Sequence, residues 1–236
     1  MGEVISRKAA RERIIEDVKS TRTSAAARVS APDGATWAVA EGRLASVISL
    51  WDATWLKATA ARAELAPLAA AVEVADDAAD HTIKSNADLI WNELGRPAND
   101  PVYELLFPGG AGFYADSEVS EQPDMMLLLA ELLESNLHST LTATVASKID
   151  AIRDAANTLS AAVEAMRKPR AKARLYDRML TAIARAAHFE LAKLKRYWLS
   201  EGLSEADIHS VIPDRPRSYG LPTPSAPAPS PTDPPA

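Results

Sequence analysis

Cysteine is absent from the 236 residues. Its absence excludes disulfides and thiolate metal sites, and fits a reducing compartment. Glycine is scarce, with nine residues, three of them at positions 109, 110 and 112. No Gly-x-Ser-x-Gly elbow occurs, so an exposed nucleophilic serine of that kind is excluded. No glycine loop ends in Lys-Ser or Lys-Thr, and no lysine lies between Lys84 and Lys148. A phosphate loop needs that lysine, so nucleotide binding by this route is excluded too. No run alternates apolar and polar residues over six positions, which removes the strand signature. No window approaches 18 consecutive apolar residues, so no membrane-spanning helix is expected. The opening MGEVISRKAARERIIEDVKS has no apolar stretch of signal-peptide length, and the cytoplasm is the expected location.

Alanine is abundant, at 46 residues, and leucine, arginine and glutamate accompany it. These residues lose little side-chain freedom in a helix, so the fold class reads as all-α. Residues 6–29 form a polar helical pattern with a thin stripe of Ile14, Val18, Ala25 and Val29. Pro32, Asp33 and Gly34 then mark a turn. A long pattern runs from 36 to 94 through Leu44, Ile48, Trp51, Trp55, Ala58, Leu65, Leu68, Val72, Ala75, Ala79, Ile83 and Ile90. Steps of three and four keep those residues on one helical face. Pro67 interrupts the pattern, where a kink or break is expected. Gly95 closes the helix and Pro97 stops it.

A second long pattern runs from 123 to 200. Its stripe passes through Met126, Leu129, Leu133, Leu137, Leu141, Val145, Ile149, Ile152, Ala156, Leu159, Val163 and Met166. It continues past Pro169, a kink or turn, through Tyr176, Leu180, Ile183, Ala187, Leu191, Leu194 and Trp198. Trp51, Trp55, Trp91 and Trp198 are expected to fill the wider places between the two arms. Between the arms, Asp100-Pro101 reads as an N-cap followed by proline at the first helical position. A short helix over 101–107, a turn at Pro108-Gly109-Gly110 and the pair Phe113-Tyr114 are expected to fold over the end of the bundle. Ser204 caps a short helix over 204–211. Residues 213–236 hold nine prolines and read as a disordered tail.

The expected architecture is an elongated antiparallel helical bundle of two long, proline-kinked arms plus an N-terminal helix. In linear terms, residues 1–35 are the N-terminal helix and turn and 36–212 are the bundle. The bundle comprises arms 36–94 and 123–200, a structured connection over 95–122 and the helix at 204–211. Residues 213–236 are the tail.

Net charge is −6, unevenly spread. Residues 41–134 carry 5 basic and 17 acidic groups, whereas 165–200 carry 10 basic and 2 acidic. Two candidate contact surfaces follow. One is the connection, through Tyr103, Leu106, Phe107, Phe113 and Tyr114. The other is a basic ridge of Arg170, Arg174, Arg178, Arg185, Lys193, Lys195 and Arg196, facing outward from the apolar stripe. Such a ridge could contact phosphate backbones, or it could be matched by the acidic ridge Glu73, Asp76, Asp77 and Asp80. Asp77 with His81 and Glu134 with His138 have spacing that can chelate, as in carboxylate-bridged metal bundles. Asp77 and His81, however, lie largely opposite the apolar stripe.

The resulting expectation is a non-enzymatic structural or adaptor bundle that mediates protein–protein contacts and self-associates, as a scaffold or coiled coil would. No catalytic, cofactor-binding or metal residues, no cofactor and no small-molecule substrate are assigned. The partners are a second copy or another protein. Association with nucleic acid through the basic helix 167–198 is the second reading, and a ferritin-like metal-binding bundle is the third.

Overall fold

The computed structural model describes residues 9–96, 99–135 and 143–213. All regular structure among them is helical. The helices are α1 (Arg11–Ala26), α2 (Gly34–Glu93), α3 (Pro101–Leu106), α4 (Gly112–Ala115), α5 (Gln122–Glu134), α6 (Ala143–Ser200) and α7 (Glu205–His209). Pro97, Leu137, His138, Leu141 and the tail from residue 214 lie outside the described residues.

The chain divides into two compact units. One combines Met1–Asp52 with Leu180–Ala236, and the other is Ala53–Met179. In the first, α1 packs beside the start of α2. Lys19 meets Asp52 at 2.7 Å and Arg22 meets Glu41 through two bonds of 2.6 Å. Going forward along α1 therefore means going backward along α2, as a hairpin requires. The end of α6 returns to the same place. Trp198 is fully buried, its indole N–H donates to the Thr36 carbonyl at 3.0 Å, and its ring lies 4.7 Å from Trp37. Leu44, Ile48, Trp51, Leu180, Ile183, Leu191 and Leu194 are buried, as their helical spacing predicts. Val29 is exposed, because α1 stops at Ala26.

In the second unit the remainder of α2 and α6 lie antiparallel. Glu64 meets Lys172 at 2.7 Å, and Arg62 pairs with Asp177. One core joins Val72, Ala75, Ala79, Ile83, Ala87 and Ile90 of α2 to Val145, Ile149, Ile152, Ala156 and Leu159 of α6. Met126, Leu129, Ala130 and Leu133 of α5 and three residues of the connection complete it.

One expectation changes here. The second arm does not run unbroken from 123. Arg153 and Glu134 form an ion pair at 2.5 Å, although 19 residues in one straight helix would separate them by about 28 Å. The chain therefore reverses between α5 and α6, and the second long helix begins at 143. Of the kink or break expected at Pro67 and the kink or turn expected at Pro169, neither the break nor the turn occurs, since α2 and α6 continue through them. Pro67 is exposed, so the carbonyl it leaves without an amide partner lies on the solvent side. Trp91 is also exposed and Trp55 half-buried, so only Trp51 and Trp198 of the four named tryptophans fill the interior.

Two glycines in the first unit make opposite predictions. A Cβ on Gly34 would stand 1.8 Å from the Val29 carbonyl oxygen, whereas one on Gly42 meets nothing within 4 Å. Gly34→Ala should destabilise by roughly 1–3 kcal/mol through forced backbone movement. Gly42→Ala should stabilise by about 0.5–1 kcal/mol, because mid-helix glycine is entropically costly. Pro67→Ala should stabilise by about 1–3 kcal/mol by restoring a helix bond without touching the core. Chemical denaturation of the three variants checks the order.

Candidate interaction surfaces

The connection between α2 and α5 is built from local rules. Gly95 has φ +82°, which suits a residue just past a helix end. The Asp100 carboxylate then accepts from the Val102 and Tyr103 amides at 2.8 and 2.9 Å and caps α3, with Pro101 at the first position. These bonds satisfy amide donors that the helix start would otherwise leave unpaired. After α3, Gly109 and Gly110 take φ of +75° and +96°, which turns the chain into α4.

Leu106, Phe107 and Tyr114 are buried. The Tyr114 hydroxyl donates to the Leu106 carbonyl at 2.7 Å, and the Phe107 and Tyr114 rings meet edge to face at 5.9 Å. Burial raises the Tyr114 hydroxyl above its ordinary pKa, which keeps it a donor. These three residues therefore anchor the connection and are not open to a partner. Their place in the core is the physical reason: an apolar ring at a bundle end is more stable packed than solvated. Phe113 is 49 % exposed and Leu105 52 %, and Tyr103 is half-buried. What the connection offers a partner is thus Phe113, Leu105 and one edge of Tyr103. Leu105 faces outward because its neighbours at 106 and 107 take the inward positions.

The basic set lies along α6. In the second unit Arg170, Arg174 and Arg178 are exposed, and none forms an ion pair with a described residue. In the first unit Arg185, Lys193 and Arg196 are exposed and Lys195 is half-buried. Lys193 pairs with Glu190 at 3.1 Å and lies 4.4 Å from the centre of the Phe189 ring. The acidic ridge is not the internal complement of these cations. Glu73, Asp76 and Asp77 form no ion pair among the described residues. Asp80 pairs with Lys84 at 3.0 Å and accepts from Gln122 at 2.9 Å. The Asp76 carboxyl is pushed above its usual value by burial and by the charges of Asp80 and Asp77.

Where they are described, the chelating candidates are exposed or engaged elsewhere. Asp77 and His81 are exposed, and His81 lies 3.5 Å from Ser85. Glu134 is taken by Arg153, whose hydrogen bond holds its carboxyl below the usual range, and His138 lies outside the described residues. Among the described residues no group of three or more His, Asp or Glu side chains could hold a metal ion. No described helix is long and apolar enough to cross a membrane.

No family model matches the chain, and neither a curated protein nor a solved structure matches it.

The connection yields a stability test. Tyr114→Phe leaves the buried Leu106 carbonyl without its donor and should cost about 1–3 kcal/mol. Phe113→Ser should change stability by no more than about 0.5 kcal/mol, because the ring is half in solvent. Urea unfolding followed by circular dichroism distinguishes the two.

Proposed function

We propose that this chain is a non-enzymatic structural or adaptor protein of the cytoplasm that works by contact with other proteins, copies of itself included. No cofactor or substrate has a role in this reading. One observation carries it. In the second unit no residue of α2 is buried between Ala61 and Val72, and none of α6 between Leu159 and Ala173. The apolar stripe nevertheless continues through both stretches, as Leu65 and Leu68 on α2 and Val163 and Met166 on α6, all half-buried. An amphipathic pair with its seam partly open is stabilised by whatever covers the seam. Exposed Phe113 and Leu105 add apolar surface in the same unit.

Nucleic-acid binding is the second reading, favoured by the exposed cations Arg170, Arg174 and Arg178, which form no ion pair among the described residues. Against it stands the acidic balance of the whole chain, −6. Nucleic-acid binding would release counterions and weaken steeply with salt.

Two measurements decide between them. Differently tagged copies should co-purify, or the tagged chain should retain a specific protein under native conditions. The reading falls if neither happens. On heparin or duplex DNA the chain should pass unretained at low salt. Retention that collapses as salt rises would transfer the assignment to the second reading.

A further inference from the structure

The open stretch of α2 and α6 has a side that can be identified. Arg62 of α2 and Asp177 of α6 pair across one flank of the seam. On α6, Val163, Arg167, Arg170 and Arg174 precede Asp177 in steps of four, three, four and three, so they lie on the ridge of that flank. On α2, Ala69, Glu73 and Asp76 follow Arg62 in steps of seven, four and three, and lie on the facing ridge. One flank therefore carries cations beside the open seam and carboxylates just beyond its end, where α5 reaches Asp80 through Gln122. The Glu64–Lys172 bridge fixes the levels. Arg170 and Arg174 stand two residues either side of Lys172. Glu73 and Asp76 stand nine and twelve residues beyond Glu64, about 14–18 Å further along the helix. At that spacing the two charge groups do not meet within one chain, and no ion pair joins them.

We propose that a second copy of this chain docks antiparallel on this flank, with Arg170 and Arg174 of each copy against Glu73 and Asp76 of the other. This rests on the functional reading above and names the partner of the open seam. A two-fold axis between the cationic and acidic levels reverses their order, so both ends match at once. Such an interface is self-complementary and closes at two copies, as isologous contacts do. Leu65, Ala69, Val163 and Met166 would form the apolar strip between the charged ends, covered on a side that is now half open. The Asp76 carboxyl is pushed above its usual value by burial and then by the charges of Asp80 and Asp77, and a cation beside it would offset the charge repulsion. A nucleic acid could use only the cationic half of the flank and would be repelled by the other half.

The test is a charge exchange in the full-length chain, read as molar mass by sedimentation or light scattering across a wide concentration range. The unmodified chain should reach a dimer mass. R170E/R174E should raise the dissociation constant at least about tenfold, and E73K/D76K should do the same, because like charges then face each other. An equimolar mixture of the two variants should recover the dimer, since both ends are again complementary. All four positions are at or near the surface, and unchanged circular dichroism confirms that the variants remain folded. A dimer insensitive to both reversals overturns this interface while leaving self-association standing. A monomer mass at every concentration overturns the second copy as occupant and leaves the flank to a different protein or to solvent. Co-purification of a different protein would then still distinguish this failure from that of the functional reading.

Discussion

The seam between α2 and α6 is the constraint on which both units depend. In each unit these helices lie antiparallel, and the residues at steps of three and four along them make most of the interior. Alanines at 40, 58, 61, 75, 79, 87, 156, 184 and 187 are buried in it. Their small side chains let helix axes approach closely, and large residues such as Trp51, Ile83, Leu159 and Trp198 fill the intervals. The ion pairs that cross the seam, Arg62–Asp177 and Glu64–Lys172, are partly exposed. Exposed pairs contribute little stability, so they mark the register more than they hold it.

What surrounds the seam differs along its length. In the first unit α1 adds a third helix; in the second, α5 and the 101–116 connection cover the core from Val72 to Ile90. Around Glu64 and Lys172 the rows of buried residues on α2 and α6 are interrupted. The apolar residues there are correspondingly half-buried, and the charges that form no ion pair among the described residues are concentrated on one flank. Open seam and unmatched charge therefore occupy the same stretch of α2 and α6.

The helices were largely readable because the apolar spacing is strong and the caps are conventional. Asp100-Pro101 and Ser204 start helices as their chemistry predicts, with Ser204 accepting from the Asp207 amide at 3.1 Å. The reversal between α5 and α6 was not readable. The steps Leu129, Leu133, Leu137, Leu141, Val145 cross it without a change of phase, and neither glycine nor proline punctuates it. Both helices turn their apolar faces to one core, so periodicity alone cannot register the change of direction. Pro67 and Pro169 each left two readings open, and the helices run on through both. Proline breaks a helix where its lost bond must be buried, and Pro67 is on the outside. At the connection, spacing could find the cap and the glycine turn. It could not tell Phe107 from Phe113, because a short helix gives each ring a different side and only packing decides which faces in.

The way the units divide the chain has a consequence for how the molecule comes together. The second unit is one unbroken segment, Ala53–Met179, while the first is assembled from the two ends that flank it. The bond from Trp198 to Thr36 spans 162 residues. During synthesis the inner segment can collapse on its own contacts, but Trp37 must wait for the last part of α6 before Trp198 can pack against it. Closing a long loop is slow, and a segment that waits keeps its apolar face uncovered meanwhile. Folding the inner unit first brings the two ends together, so the insertion shortens the very search that its own length imposes.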